Sequence, residues 1–262
     1  MTSTSTSESL VPSPTFGCTT DIYIVRDYRT LYRFDLATGI GIKAVDFDLP
    51  GDYNSIGYHP TEDVLYGTRD DRQVVRIFED GRTEDVVNLT PAIYIGATFD
   101  SDGNFWAFGQ VRANGARYYV RKVDLRPGSA TYGKVVEERR TDAISGMRNF
   151  FNDWAYTPAS PEFLYALGRD AEDEATAVLY RFKLAKGELG WEKVYETKLD
   201  KPFSDWAGMM GDSEGSVYGI QTNSGNIYKF PVDDRNGVEF LAHTPGKDVN
   251  DMARCHNAPA VA

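Results

Sequence analysis

The chain is poor in the residues on which most active-site chemistry rests. It has two cysteines and three histidines in 262 residues, and His59, His243 and His256 lie in unrelated segments. No zinc-ligand spacing, no Ser-His-Asp motif and no phosphate loop is present. No metal and no cofactor is therefore expected. No apolar run approaches the ~20 residues of a helical membrane span. A basic excess is missing too: 28 Lys and Arg stand against 39 Asp and Glu, a net charge of −11. That is the wrong sign for nucleic acid, where a basic stripe is required, and for an anionic bilayer surface. The acidity reads as solubility.

What the chain has is a phrase repeated along its length: an apolar residue, commonly an aromatic, then a basic residue, then another apolar one. The copies are Leu31-Tyr32-Arg33-Phe34, Val74-Val75-Arg76-Ile77, Val120-Arg121-Lys122-Val123, Leu179-Tyr180-Arg181-Phe182 and Ile227-Tyr228-Lys229-Phe230. Each follows an apolar-aromatic-small segment, such as Leu65-Tyr66-Gly67 or Val217-Tyr218-Gly219, that reads as the preceding strand. Turn formers separate the pieces: Gly for positive φ, Asp and Ser for local hydrogen bonds, Pro for fixed φ. Regular short strands at this spacing predict an all-β propeller of four-stranded blades.

Counting the pieces sets the blade number. Second and third strands occur five times. The first repeat has no innermost strand ahead of it, whereas an extra one, Val249 to Arg254, follows the last repeat. The expectation is a five-bladed ring whose closing blade mixes strands from both ends of the chain. The domain would span residues 18–259, with a flexible segment at 1–17 and a short tail at 260–262. Met1 to Pro14 is Ser/Thr-rich without an apolar core, unlike a signal peptide. It reads as the start of a mature secreted protein with Met1 added for expression. Closure of this kind brings Cys18 and Cys255 into one blade, where a disulfide would clasp a very long loop; two buried thiols are the alternative. A disulfide implies an oxidising compartment, hence secretion or the secretory lumen. The sequon Asn88-Leu89-Thr90 agrees with that.

The order of pieces resembles an uncharacterised family of secreted propeller domains. The likeness covers roughly residues 18–259. It rests on Tyr32-Arg33-Phe34-Asp35-Leu36-Ala37-Thr38-Gly39, on Tyr53-Asn54-Ser55-Ile56-Gly57-Tyr58 and on Asn250-Asp251-Met252-Ala253-Arg254-Cys255. Members of that family usually carry Gly where this chain has Met252, and the family supplies no catalytic residues. A looser similarity, through Asp102-Gly103-Asn104-Phe105-Trp106, is to six-bladed gluconolactonase-like and strictosidine-synthase-like propellers. Some fungal natural-product cyclases also resemble such propellers, an analogy of fold.

The start of each inner strand and the exit of each second strand should meet at one funnel face. The first ring is acidic and amide: Asn54, Ser55, Asn152, Asp153, Ser204, Asp205, Asn250 and Asp251. The second holds Arg26, Arg69, Arg169, Gln110 and Gln221. Tyr53, Tyr94, Phe151 and Phe203 enter just ahead of the first ring, and Trp154 and Trp206 follow it. One reading is a monomeric, cofactor-independent acid–base enzyme of cyclase, dehydratase or pericyclase type, acting on a small organic molecule. Asp153, Asp205 and Asp251 would then be its acid or base, because crowded carboxylates raise one another's pKa. Arg69 and Arg169 would stabilise negative charge. Asn54, Asn152 and Asn250 would hydrogen-bond substrate, and the aromatic residues would hold its apolar parts. The second reading is a non-catalytic, lectin-like module that binds a sugar or small ligand. A purely structural role is also open to the acids: capping backbone amides between blades and pairing with a neighbouring Arg.

The stretches Glu137 to Phe150, with Arg139, Arg140, Met147 and Arg148, and Arg169 to Thr176 would cover the funnel or decorate the surface. Asp100-Ser101-Asp102-Gly103-Asn104 resembles the start of a calcium loop but lacks the closing glutamate. His256, beside Cys255, is expected at the surface.

Overall fold

Short strands and tight turns follow one another along the whole chain, grouped in five antiparallel sheets of four. The computed structural model describes residues 14–111, 117–141, 152–170, 172–185, 190–244 and 249–261. Blade one contains β1 (Ile22–Arg26), β2 (Thr30–Asp35) and β3 (Ile40–Asp46). Blade two is β4 (Tyr53–Tyr58), β5 (Leu65–Arg69), β6 (Gln73–Ile77) and β7 (Thr83–Asn88). Blade three is β8 (Ile93–Phe99), β9 (Asn104–Val111), β10 (Arg117–Asp124) and β11 (Lys134–Thr141). Blade four is β12 (Ala155–Tyr156), β13 (Phe163–Arg169), β14 (Thr176–Lys183) and β15 (Trp191–Lys198). Blade five is β16 (Trp206–Gly211), β17 (Ser216–Gln221), β18 (Asn226–Pro231) and β19 (Glu239–His243).

The last strand, β20 (Val249–Ala253), lies beside β1, with Tyr23 opposite Ala253 and Val25 opposite Asp251. It completes blade one in the order β20-β1-β2-β3. The protein is thus a five-bladed, all-β propeller with the mixed closing blade expected from the sequence. Cys18 and Cys255 are joined, their Cα atoms 5.2 Å apart. The N-terminal segment as far as Ser13, and Met147, Arg148 and Phe151 of the candidate funnel, lie outside the described residues, as do the side chains of Gln110 and Asn250.

The repeated phrase forms the third strand of every blade. Its apolar members point into the seams between blades: Leu31, Phe34, Val74, Ile77, Val120, Val123, Leu179, Phe182, Ile227 and Phe230 are all buried. Its basic member meets an acid in each blade. Arg33 bonds Asp21 at 2.8 Å, Arg76 Glu62 at 2.9 Å and Arg181 Glu192 at 2.9 Å, while Lys229 reaches Glu239 at 3.3 Å and Lys122 Asp100 at 3.7 Å. Such partly exposed pairs contribute at most about 1 kcal/mol each. The buried flanks carry more, about 1.5–3 kcal/mol per large side chain.

Five apolar clusters fill the five seams, one between each pair of neighbouring blades. Because neighbours cover both faces of a blade, β16 and β17 are buried at every residue rather than at alternate ones. Arg139 also belongs to a seam. It lies over Trp106 and Phe182 and donates to the carbonyls of Lys183 (2.9 Å) and Leu184, tying blade three to blade four. It does not cover the funnel. The segment likened to a calcium loop is a turn closed on its own carboxylate. Asp100 accepts from the backbone amides of Asp102 and Asn104, from the Asn104 side chain and from Trp106 Nε1 at 2.8–3.1 Å. Asp212 makes the same turn in blade five, accepting from the amides of Glu214 and Ser216.

Candidate functional site

The three repeated acids divide two and one. Asp153 and Asp251 sit on the axis, 1% and 0% exposed, hydrogen-bonded to one another. Asp153 enters from just before β12. Its Oδ1 accepts the amide of Ala97 in blade three at 3.0 Å, and its Oδ2 accepts the amide of Met209 in blade five. Asp251, on β20, accepts the amides of Ile56 in blade two and of its own neighbour Met252, each at 2.7 Å. Two glycines make room. A Cβ at Gly96 would lie 2.6 Å from Asp153 Oδ1, and one at Gly208 would lie 3.0 Å from Asp251 Oδ1 and 2.5 Å from Met252 N. The pair therefore spans all five inner strands. Asp205 is different: half-buried, with its carbonyl accepting from Thr222 N at 3.0 Å.

Among the described residues no ion pair joins the axial acids to the arginines expected opposite them. Arg69 binds Asp85 at 2.8 Å on the outermost strand of its own blade. Arg169 donates to the Phe203 carbonyl at 2.6 Å and approaches Glu174 at 3.8 Å. Arg26 lies over the Tyr32 ring. The aromatic residues expected to wall a funnel are mostly seam residues. Tyr53 is fully buried against Phe47, and its hydroxyl donates to the Leu49 carbonyl at 3.1 Å. Tyr94 is fully buried too. Trp154 Nε1 donates to the Trp106 carbonyl at 2.9 Å, and Trp206 Nε1 to that of Gly168 at 3.4 Å. Asn152 donates to the Trp206 carbonyl at 3.2 Å. Asn54 is half-buried, and its Oδ1 has no protein partner.

The axial pair is a titrating unit. Burial, then the mutual repulsion of the two carboxylates, pushes Asp153 well above the usual carboxylate range; burial pushes Asp251 up to about 8. A folded-state pKa above the unfolded ~3.9 means the native state holds the extra proton. That contribution to stability is complete below about pH 4 and is lost as pH rises toward 8. Buried His59 and His256 act in the opposite sense: burial lowers both, His256 to about 4, so they favour the fold as pH rises toward the unfolded ~6.5. Between about pH 6.5 and 8 the acids act alone. Stability to urea is expected to fall across that window, by at most about 1.4 kcal/mol per pH unit for one proton. Asp251→Asn should flatten the slope; an unchanged slope in this variant would contradict the assignment.

The funnel face opens between blades four and five. A cleft of about 340 Å³ is lined by Arg169, Glu174, Pro202, Phe203, Ser204, Gln221, Asn223 and Ser224. These residues come from the ends of β13 and β17, the loop between β13 and β14, the approach to β16 and the turn after β17. Of the two expected rings, Arg169, Ser204 and Gln221 converge here, with Phe203 beside them. Arg169 is 9% exposed and Gln221 4%. Ser224 Oγ donates to Gln221 Oε1 at 2.6 Å, fixing the amide. Glu174 belongs to the Arg169 to Thr176 stretch expected at the funnel face. The sequence reading missed Pro202, Asn223 and Ser224; for the last two the polar turn Thr222-Asn223-Ser224-Gly225, one residue past a ring position, was the available signal.

Residues 24–257 match the family described as a repeat of unknown function (DUF6923). No curated protein matches the chain. Solved structures with similar folds include one from a nidogen/laminin complex, at 11% identity and TM-score 0.54, covering 91% of this chain and 82% of that one. The luciferin-regenerating enzyme matches at 13% identity and TM-score 0.54, with 91% and 78% covered. A calcium-binding protein, regucalcin, from Agrobacterium tumefaciens str. C58 matches at 17% identity and TM-score 0.52, with 92% and 76% covered. At these identities the likeness is one of fold. The family match, by contrast, runs from within β1 to beyond Cys255 and takes in every blade, so the chain belongs to the DUF6923 repeat family.

Proposed function

We propose that this propeller binds a small polyhydroxylated molecule, of monosaccharide size, in the cleft between blades four and five. The observation that carries this reading is the composition of the cleft. Neutral donors and acceptors (Ser204, Gln221, Asn223, Ser224) stand beside one buried guanidinium, Arg169, with Glu174 3.8 Å from it, and beside Pro202 and one aromatic ring, Phe203. Hydroxyl groups need many directional partners of both kinds, and a ring offers an apolar face to C–H groups. The volume lies at the lower end of small-molecule sites. The axial acids then serve as a brace, their oxygens occupied by backbone amides. The protein acts as a monomer, and the disulfide fits work outside the reducing cytosol.

The test is a glycan and metabolite panel read by calorimetry. Asn223→Ala and Gln221→Ala are expected to weaken the ligand found at least tenfold, leaving the melting temperature within about 2 °C of the parent. A ligand whose affinity ignores both changes would refute the cleft. A second reading, a cofactor-independent acid–base enzyme, draws on Asp205. It is half-buried, adjoins Ser204 of the cleft and is the one repeated acid outside the axial pair. Conversion of the ligand, abolished by Asp205→Asn, would favour that reading over simple binding.

A further inference from the structure

The chain holds a single Asn-x-Ser/Thr triplet, Asn88-Leu89-Thr90, and neither the cleft nor the axial brace uses it. Its middle residue is Leu, not the Pro that forbids glycosyl transfer. The triplet runs from the end of β7, the outermost strand of blade two, into the turn that follows.

Local packing sets which of the three residues face water. Leu89 is fully buried in the seam between blades two and three. Its amide donates to the Arg72 carbonyl at 2.9 Å, and its carbonyl accepts from Arg121 Nη1 at 2.7 Å. With Leu89 anchored, the residues on either side turn outward: Asn88 and Thr90 are both exposed. Thr90 N donates to Asn88 Oδ1 at 3.1 Å, an Asx turn that holds the carboxamide against the threonine backbone. Asn88 Nδ2 makes a long bond, 3.4 Å, to Gln73 Oε1 across an exposed strand pair. A bond of that length in water is given up at little cost.

We propose that Asn88 is the acceptor of an N-linked glycan, attached as the chain enters the secretory lumen. The Cys18–Cys255 bond calls for the same oxidising compartment. In the transfer, Asn88 Nδ2 attacks the anomeric carbon of an oligosaccharide carried on a polyprenyl diphosphate. The C–N bond forms as the C–O bond to the diphosphate breaks. The lipid diphosphate leaves with the bonding electrons, and the transferring enzyme takes the amide proton. Pro91 follows the triplet and restrains the chain there, so occupancy is expected to be incomplete. On β7, where Val86 and Val87 are half-buried, a bulky hydrophilic group hinders pairing of this edge strand with another chain. Blade two packs against blades one and three, so the glycan stands across the ring from the cleft and leaves it open.

The full chain secreted from a eukaryotic host behind a cleavable signal peptide tests the proposal. A fraction of the product should be heavier than the polypeptide. An amidase that cleaves N-glycans should return it to polypeptide mass and convert Asn88 to Asp, as read in a peptide map. Asn88→Gln and Thr90→Ala should each abolish the heavier form, while Thr90→Ser should retain it. Because both positions are exposed, neither loss should move the melting temperature by more than about 2 °C once the glycan is removed from the parent. If a variant is not secreted, the peptide map of the parent protein decides alone. Secreted parent protein with Asn88 unmodified throughout would overturn the proposal, as would a heavier form that survives both substitutions.

Discussion

Asp153→Ala is expected to destabilise the propeller by roughly 2–6 kcal/mol, a large share of what a domain of this kind holds in reserve. The substitution removes the acceptor for two buried amides, Ala97 N and Met209 N, which lie in different blades. Each unsatisfied buried donor costs about 1–3 kcal/mol. It also leaves Asp251 without the partner that shares its proton. Asp153→Asn should fall between parent and alanine. Its NH₂ can donate to Asp251, as a protonated acid does, but cannot accept from the amide it then faces. Urea denaturation at pH 6 would measure the ladder. A midpoint for Asp153→Ala within 0.5 kcal/mol of the parent, about the spread of inconsequential surface changes, would refute the role of the axial acids as a brace. Asp205→Ala, outside the pair, is the control and should be much milder.

Removing the disulfide should be comparably severe. Cys18 and Cys255 are 237 positions apart. In the chain-entropy model, closing a loop of that length stabilises the fold by about 5 kcal/mol. The paired variant Cys18→Ser with Cys255→Ser should therefore melt about 10–15 °C lower than the parent. Reduction of the parent protein should give the same shift. Native mass and circular dichroism below the transition are expected to match the parent, since β20 keeps its ladder with β1. A shift under about 3 °C would mean that the unfolded chain gains little freedom when the clasp opens.

The blade count and the closure were legible because they rest on local, repeated signals. A phrase recurs once per blade, and the strand inventory is short of one member at one end and long by one at the other. The site was much less legible, for physical reasons. Asp153, Asp205 and Asp251 share a local pattern, yet only two reach the axis. The difference lies in Gly96 and Gly208, which let the neighbouring strands approach, and a pairwise contact between blades leaves no mark on the sequence around the acid. Tyr53, Tyr94, Trp154 and Trp206 read as walls of a funnel. Alternation along a strand separates two faces, but here both faces are covered by neighbours, so it cannot tell seam from opening. His256 was expected at the surface beside the clasp. The chain instead turns beneath the axis after β20, and the ring packs against Tyr156 with 5.1 Å between centroids. Arg169, Ser204 and Gln221 were in view as ring members and Phe203 as a residue just ahead of a ring, but not as one cleft.

The placement of β20 has a consequence for how the molecule comes into being. A ribosome releases β1 among the first strands and β20 among the last, with all the other blades made in between. Until β20 emerges, the inner edge of β1 has no lasting partner, and neither Ile56 nor Asp153 has its contact with Asp251. Local hairpins form within microseconds, but the final pairing must bring together residues separated by nearly the whole chain, which makes it a slow, high-contact-order event. The nascent chain thus carries an unpaired edge until β20 is made, the kind of surface on which aggregation begins. Completion of the ring has to wait for β20, and a chaperone that shields that one edge until then would act on the whole yield.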